Sequence, residues 1–311
     1  MPPPAVLSPA ALPTPLTAVD VPVLARAGVR LRLKRDDLAH PTVPGNKWRK
    51  LAPNLALAVE QGRTGLLTFG GAYSTHIRAT AAAARELGLS SVGVIRGDEL
   101  AARPRNWSLR AAEADGMELR FVSRERYREL VRGADGRPEE RGAGGAHGDG
   151  RRLVLPEGGS NALAVTGAAG IPAEIPDLGE QDVLCCPVGT GGTLAGVAAG
   201  LPPGARALGV AVLRGEGYLE REVSALHQAA YGRQFANWRI HHGHHGGGYG
   251  RVPAELEAFA ARFEQRHGVA VERRYVAKAL LAVHELAAAG EFRPGTRVTV
   301  VVTGLPDPVR A

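Results

Sequence analysis

Of the 38 basic residues in this 311-residue chain, four are lysines: Lys34, Lys47, Lys50 and Lys278. Arginine fills the other basic positions, so a retained lysine marks a place where arginine would not serve. Arginine stays charged in proteins, whereas a desolvated lysine can lose its proton and attack a carbonyl. Lys47 has the local setting for this. It follows the tight turn Pro44-Gly45-Asn46 and opens a helix, whose positive end disfavours an ammonium ion.

Two glycine-rich runs, each between a strand and a helix, are candidate anion cradles. Gly189-Thr190-Gly191-Gly192-Thr193 follows an apolar strand and precedes a helix of small residues. Successive backbone N–H groups there can converge on one oxyanion, with the helix dipole assisting. The run lacks the G-x-G-x-x-G spacing and the ribose-binding acid of a dinucleotide site, so a phosphate monoester suits it better than a pyrophosphate. The second run is Gly70-Gly71-Ala72-Tyr73-Ser74-Thr75-His76, where one hydroxyl is expected to serve as a helix N-cap. Two anion cradles and one privileged lysine point to a phosphorylated carbonyl cofactor and a carboxylate substrate.

The elements that must position these residues follow from periodicity. Strands are expected at 30–34, 66–69, 91–95, 119–122, 153–155, 183–188, 207–213 and 298–302, with helices between them. That alternation predicts an α/β fold with parallel-rich sheets flanked by helices. After Lys47, Leu51, Leu55, Ala58 and Val59 recur at helical spacing, and Gly62 ends the helix. Residues 133–150 are rich in Gly, Arg and Asp without periodicity and read as a mobile loop, and the stretch after Tyr231 as a His/Gly loop. Asp36 and Asp37 are expected to fix the turn before Lys47.

Composition excludes several classes. The net charge is +7, but no long basic run occurs and aromatics are only 5%, too few for a base-stacking surface. Anionic small molecules therefore fit the charge better than nucleic acid. Cys185 and Cys186 are adjacent in one strand and so point to opposite faces, as buried thiols of a reducing compartment. His241-His242-Gly243-His244-His245 is poorly spaced for a defined metal site, and no metal is expected. Residues 1–17 carry six prolines and no basic residue, unlike a signal peptide or membrane anchor. No apolar run approaches the roughly 20 residues of a membrane span. The expectation is a cytoplasmic protein.

The stretches KRDDLAHPTVPGNKWRKL, LLTFGGAYSTHIRATAAAARELG, LPEGGSNALAVTG, VGTGGTLAG, GGYGRVP and RYVAKALLAVHEL, with Thr303 after the last strand, span positions 34 to about 303. In that order they resemble the pyridoxal-phosphate (PLP) enzymes of the tryptophan-synthase-β-like fold (PLP fold type II). More narrowly, they resemble the 1-aminocyclopropane-1-carboxylate deaminases and D-cysteine desulfhydrases. The resemblance implies that Lys47 holds the cofactor covalently and Gly189 to Thr193 hold its phosphate. It places Ser74 where the substrate carboxylate is received, Thr75 beside the cofactor ring, and Tyr249 and Tyr275 on the substrate side. Thr303 matches a hydroxyl facing the pyridine nitrogen. A neutral partner there makes the ring a weaker electron sink and favours eliminations and proton transfers.

The chain departs from the family at three places. Thr75 replaces a usual Asn, Val276 replaces an acidic or hydroxyl residue, and Thr303-Gly304-Leu305 replaces a T-G-G end. The deaminases rely on Glu at the position of Val276, so ring opening is expected to be poor. The expected architecture is a larger cofactor-binding domain of residues 1–50 plus 160–311 and a smaller domain of 51–159, with the cofactor in the cleft between them. The expected function is D-cysteine desulfhydrase-like β-elimination on a small amino acid, by a homodimer. The alternatives are 1-aminocyclopropane-1-carboxylate deamination, PLP binding without turnover, and a nucleotide-binding oxidoreductase using the Gly189 loop.

Overall fold

A computed structural model describes residues 10–134 and 151–304. The strands are β1 (Leu16–Val19), β2 (Arg30–Lys34), β3 (Gly65–Gly70), β4 (Ser90–Arg96), β5 (Met117–Val122), β6 (Arg152–Val154), β7 (Asp182–Val188), β8 (Arg206–Ala211), β9 (Trp238–His241) and β10 (Arg297–Val301). The helices begin with α1 (Pro22–Arg26), α2 (Lys47–Glu60), α3 (Thr75–Glu86), α4 (Trp107–Ala114), α5 (Arg124–Ala134), α6 (Ala162–Ala168) and α7 (Gly170–Ala173). They are followed by α8 (Gly192–Gly200), α9 (Tyr218–Tyr231), α10 (Ala254–His267) and α11 (Val276–Ala288).

The strands form two sheets. One has six strands in the order β1-β2-β10-β7-β8-β9, the other four in the order β5-β4-β3-β6. Among the described residues all pairings are parallel except β1 with β2. Parallel strands are buried on both faces and need near-continuous apolar runs. β3 is buried along its whole length, and β7 at every residue but Val183. One face of the larger sheet packs with α1, α10 and α11, the other with α6, α7, α8 and α9. Cys185 belongs to the first of these cores and Cys186 to the second, as alternation along a strand requires. Burial pushes the Cys186 thiol up to about 12 and Cys185 well above its ordinary value.

The glycine-flanked strands and the alternating helices fall where periodicity puts them. Two edge strands do not. β1 lies in the proline-rich start, and β9 lies inside the segment expected as a His/Gly loop. Edge strands tolerate proline and carry weak patterns because only one side of the backbone is paired. The expected strand 207–213 stops at Ala211. Gly133 and Ala134 close α5, and the rest of the 133–150 loop lies outside the described residues.

The junction expected at residue 50 falls inside α2, which packs against both α6 and α3. Pro53 within α2 cannot donate to the Arg49 carbonyl. Gly167 of α6 comes against that same carbonyl, where a Cβ would sit 2.0 Å from the oxygen. A buried ionic network fixes the other flank of α2. Arg49 donates to Asp36 (2.7 and 2.9 Å) and to Glu174 (2.7 and 2.9 Å), and Lys34 donates to Glu174 at 2.6 Å. Asp36 therefore clamps the helix itself as well as shaping the turn before it.

Candidate active site

The carboxyl ends of strands from both sheets open into one cavity of about 310 Å³. Such ends, where helices depart in different directions, are where open α/β sheets bind ligands. The cavity wall brings together all the residues singled out above: Lys47, Ser74, Thr75, Gly189, Thr190, Gly191, Gly192, Thr193, Tyr249, Tyr275 and Thr303.

Lys47 is the first residue of α2, placed by close contacts of its two predecessors. Gly45 adopts φ +64° and lies against the end of β10, where the Asn46 N–H donates to the Thr303 carbonyl at 3.2 Å. The Asn46 amide reaches the other way and donates to Thr193 Oγ1 at 2.9 Å. Asn46 thus ties the lysine turn to the Gly189 cradle. Lys47 Nζ donates to Asn46 Oδ1 at 3.1 Å, an uncharged partner. Burial lowers its pKa to about 8, and the Glu272 carboxylate pulls it only part of the way back. Desolvation is the largest cause of that shift.

At the Gly189 cradle, Gly191 is left-handed (φ +80°) and caps α8. A Cβ on Gly192 would sit 2.6 Å from Ser160 Oγ and 3.0 Å from Lys50 Nζ. Spacing alone gives Lys50 no role, yet it stands one helical turn from Lys47 on the same face of α2. It donates to the Gly158 carbonyl and to Ser160 Oγ (2.7 Å), and Ser160 Oγ meets Thr190 Oγ1 at 2.6 Å. Burial, then the Lys47 charge, push its pKa well below the ordinary value. At the second cradle Ser74 is the N-cap of α3, its Oγ accepting from the Ile77 N–H at 3.3 Å. Thr75 begins the helix beside it.

Residues 7–304 match the family described as "Pyridoxal-phosphate dependent enzyme". The chain belongs to that family. A D-cysteine desulfhydrase of Klebsiella pneumoniae is 30% identical over 304 residues, covering 94% of this chain and 91% of its own. A bifunctional D-cysteine desulfhydrase/1-aminocyclopropane-1-carboxylate deaminase of Arabidopsis thaliana is 29% identical, covering 94% and 76%. A solved structure of an ACC deaminase homologue superposes with a TM-score of 0.77 at 26% identity, over 97% of this chain and 91% of that one. The fold is accordingly that of the fold type II PLP enzymes.

The residues present fit the cofactor of this PLP-dependent enzyme. Lys50 is a buried amine whose hydrogen bonds go to a carbonyl and a hydroxyl, neither of them charged, so no anion among the described residues holds its proton. A phosphate in the cradle at Gly192 would supply the missing anion, and Gly192 leaves the room for it. His76 Nε2 meets Thr68 Oγ1 at 2.9 Å, while its buried Nδ1 has no partner among the described residues. Burial, with the Lys50 and Lys47 charges, holds the ring neutral.

The remaining two lysines are structural. Lys34 serves the ionic network, and Lys278 donates to the carbonyls of Val212 (3.1 Å), His245 (2.8 Å) and Gly248 (3.2 Å). It thereby stitches the loop carrying Tyr249 to the end of β8. His242 and His244 of that loop pair separately with Glu220 (2.7 Å) and Glu285 (2.9 Å).

Three observations correct or sharpen the sequence reading. Val276 is 1% exposed and packs in the core, away from the cavity. The carboxylate near that spot is Glu272, buried and accepting from the N–H groups of Arg274 (2.7 Å), Tyr275 (2.7 Å) and Val276 (3.3 Å). It caps α11, and burial raises its pKa against those bonds. Tyr249 and Tyr275 meet edge to face, ring centres 6.3 Å apart. Burial raises Tyr249 and pushes Tyr275 well above its ordinary value, which favours the phenol form of both.

Proposed function

We propose that this enzyme is a PLP-dependent lyase that eliminates a β-substituent from a small α-amino acid, releasing a keto acid and ammonia. The observation that carries the reading is Lys47: an amine lowered to about 8, held between two anion cradles. Bound pyridoxal phosphate supplies the electron sink that lets the α-proton leave. The chain's own residues do the rest. The N-terminus of α3, with Ser74 and Thr75, holds the substrate carboxylate by its free N–H groups. Lys47, neutral above about pH 8, takes the proton from Cα. The bond from Cβ to its substituent breaks with the electron pair, so a sulfide leaves readily. Water then releases the keto acid and ammonium. Tyr249 and Tyr275, kept as phenols, donate a hydrogen bond or proton to the departing group, and Thr303, on the cavity wall, would offer its hydroxyl to the cofactor ring.

The relatives carry both the desulfhydrase and the deaminase names. Elimination is favoured over cyclopropane opening here because Val276 is packed in the core and supplies no acid–base help at the ring carbons, help worth about 10²–10⁴-fold. D-cysteine, L-cysteine, β-chloro-D-alanine and the cyclopropane substrate should be assayed together for keto-acid release. Elimination from a β-substituted alanine is expected to be fastest; fastest turnover of the cyclopropane would reverse the assignment. The same proposal takes the enzyme as a homodimer, read by light scattering, and as cytoplasmic, which suits the free, buried thiols Cys185 and Cys186.

A further inference from the structure

Arg96 ends β4 and lines the cavity, half-buried. Among the described residues no carboxylate forms a hydrogen bond or ion pair with its guanidinium; its neighbour is the Tyr127 ring, 5.4 Å away. Most arginines this far from bulk water are committed. Arg49, Arg32, Arg273 and Arg297 each hold a carboxylate. An uncommitted guanidinium aimed at a ligand cavity is a ready bidentate partner for a carboxylate.

Its position says which carboxylate. Arg96 Nη2 lies 3.6 Å from the place a Cβ on Gly71 would take, and Tyr249 Cε1 lies 3.8 Å from it. The α-carboxylate already has a place at the start of α3, beyond Gly71. A second hollow shares the wall of Gly71, Arg96 and Tyr249 with the main cavity and is bordered by Arg124 and Arg128. Among the described residues its one acid, Glu99, is ion-paired to Arg124 at 2.6 Å. Glu157 lines the main cavity, but among the described residues no ion pair joins it to Arg96. Among the described residues the hollow past Tyr249 therefore sets Arg96, Arg124 and Arg128 against Glu99 alone, next to the tyrosine assigned to the substrate side.

We propose that Arg96 receives an anionic group on the substrate's side chain, so that this enzyme takes α-amino acids whose β-substituent ends in a carboxylate. The assignment rests on the amino-acid reading above, but not on elimination being the reaction. A small neutral substrate such as cysteine would leave the guanidinium unmet.

The test is binding to the holoenzyme, followed by the change in cofactor absorbance. Aspartate is compared with asparagine and glutamate with glutamine, in both enantiomers, on wild type, Arg96→Met and Arg96→Lys. In wild type the preferred enantiomer of the acid should bind at least about tenfold tighter than its amide, the least that a charge-assisted pair is worth. Arg96→Met should bring the acid down to the amide's level, and Arg96→Lys should restore part of the difference. Equal binding of acid and amide to wild type overturns the proposal, whether or not the variants fold. So does an Arg96→Met that weakens acid and amide by the same factor, which would put Arg96 on the α-carboxylate. A holoenzyme that prefers the acids yet releases no keto acid from any amino acid upholds Arg96 and removes the lyase. One that turns over neutral amino acids with no preference for acids does the reverse.

Discussion

Gly45 and Thr303 meet so closely that a Cβ on Gly45 would lie 2.2 Å from the Thr303 carbonyl oxygen. The contact joins the turn before Lys47 to the end of β10, segments from opposite ends of the chain. It sets where Lys47 enters the cavity. Gly45→Ala should therefore lose cofactor as well as stability. Gly62 is the control, since it has a similar φ (+61°) but nothing within 4 Å of its would-be Cβ. Gly62→Ala should cost about 1 kcal/mol of left-handed strain, and Gly45→Ala roughly 2–3 kcal/mol. Denaturant unfolding gives both values, and absorbance gives cofactor content. Full occupancy in Gly45→Ala would detach the contact from the site.

Lys47 should control cofactor capture with the pH dependence of an amine near 8. Its pKa is depressed from 10.5 to about 8, so the neutral, nucleophilic form grows as pH rises and is nearly complete about one unit above 8. The rate at which apoprotein takes up pyridoxal phosphate should rise through pH 8 and then level. An ordinary lysine would keep rising about tenfold per unit through that range. The unfolded chain binds this proton up to 10.5 and the fold does not, so stability of the apoprotein also grows between about 8 and 10.5. Lys278, also lowered to about 8, shares that stability window, which makes the capture rate the cleaner reading for Lys47. Borohydride reduction should then leave the label on Lys47 and on none of Lys34, Lys50 or Lys278.

Lys50 should matter to the phosphate and not to the aldehyde. Lys50→Met removes one charge-assisted contact, worth about 1.5–3 kcal/mol or roughly 10–100-fold in affinity. Spectroscopic titration should show that loss for pyridoxal phosphate and little change for pyridoxal. Gly192→Ala tests the cradle directly, because its Cβ would meet Ser160 Oγ at 2.6 Å and Lys50 Nζ at 3.0 Å, whereas a Cβ on the left-handed Gly191 would meet Val223 of α9 at 2.9 Å. Equal losses for both aldehydes would move Lys50 out of the cradle.

Glu174 should make the protein acid-sensitive. Its pKa is lowered to about 2, despite burial, by hydrogen bonds from Arg49 and Lys34. A depressed carboxylate stabilises the fold fully above its ordinary 4.5 and loses that contribution as pH falls from about 4.5 to about 2. Partial exposure to solvent screens the pair, which leaves a contribution on the order of 2 kcal/mol. Glu174→Gln should flatten the stability profile across that window and cost a similar amount at neutral pH, leaving Arg49 and Lys34 short of a counter-charge. Unfolding midpoints from pH 2 to 7 decide it.

The sequence by itself determined the strands other than β1 and β9, and it singled out the two glycine runs and the lysine that the fold brings to one cavity. Each is a local signal: an apolar run bounded by glycine, a hydroxyl before a helix, a lysine kept where arginine is the rule. Lysine rarity was informative beyond Lys47, because Lys34, Lys50 and Lys278 also carry tasks, two of them structural. Tertiary structure alone decided what those signals face. The sequence puts Val276 next to Tyr275, but the turn of α11 sends its side chain into the core and leaves Tyr275 in the cavity. Glu272 looks like one more surface acid until the folded chain buries it over three N–H groups. Arg96 is one of many arginines until β4 and the Tyr249 loop bring it to the cavity, where among the described residues no carboxylate pairs with it. Such facts depend on which distant segments share a wall, and burial and charge pairing are properties of that wall, not of any window of sequence.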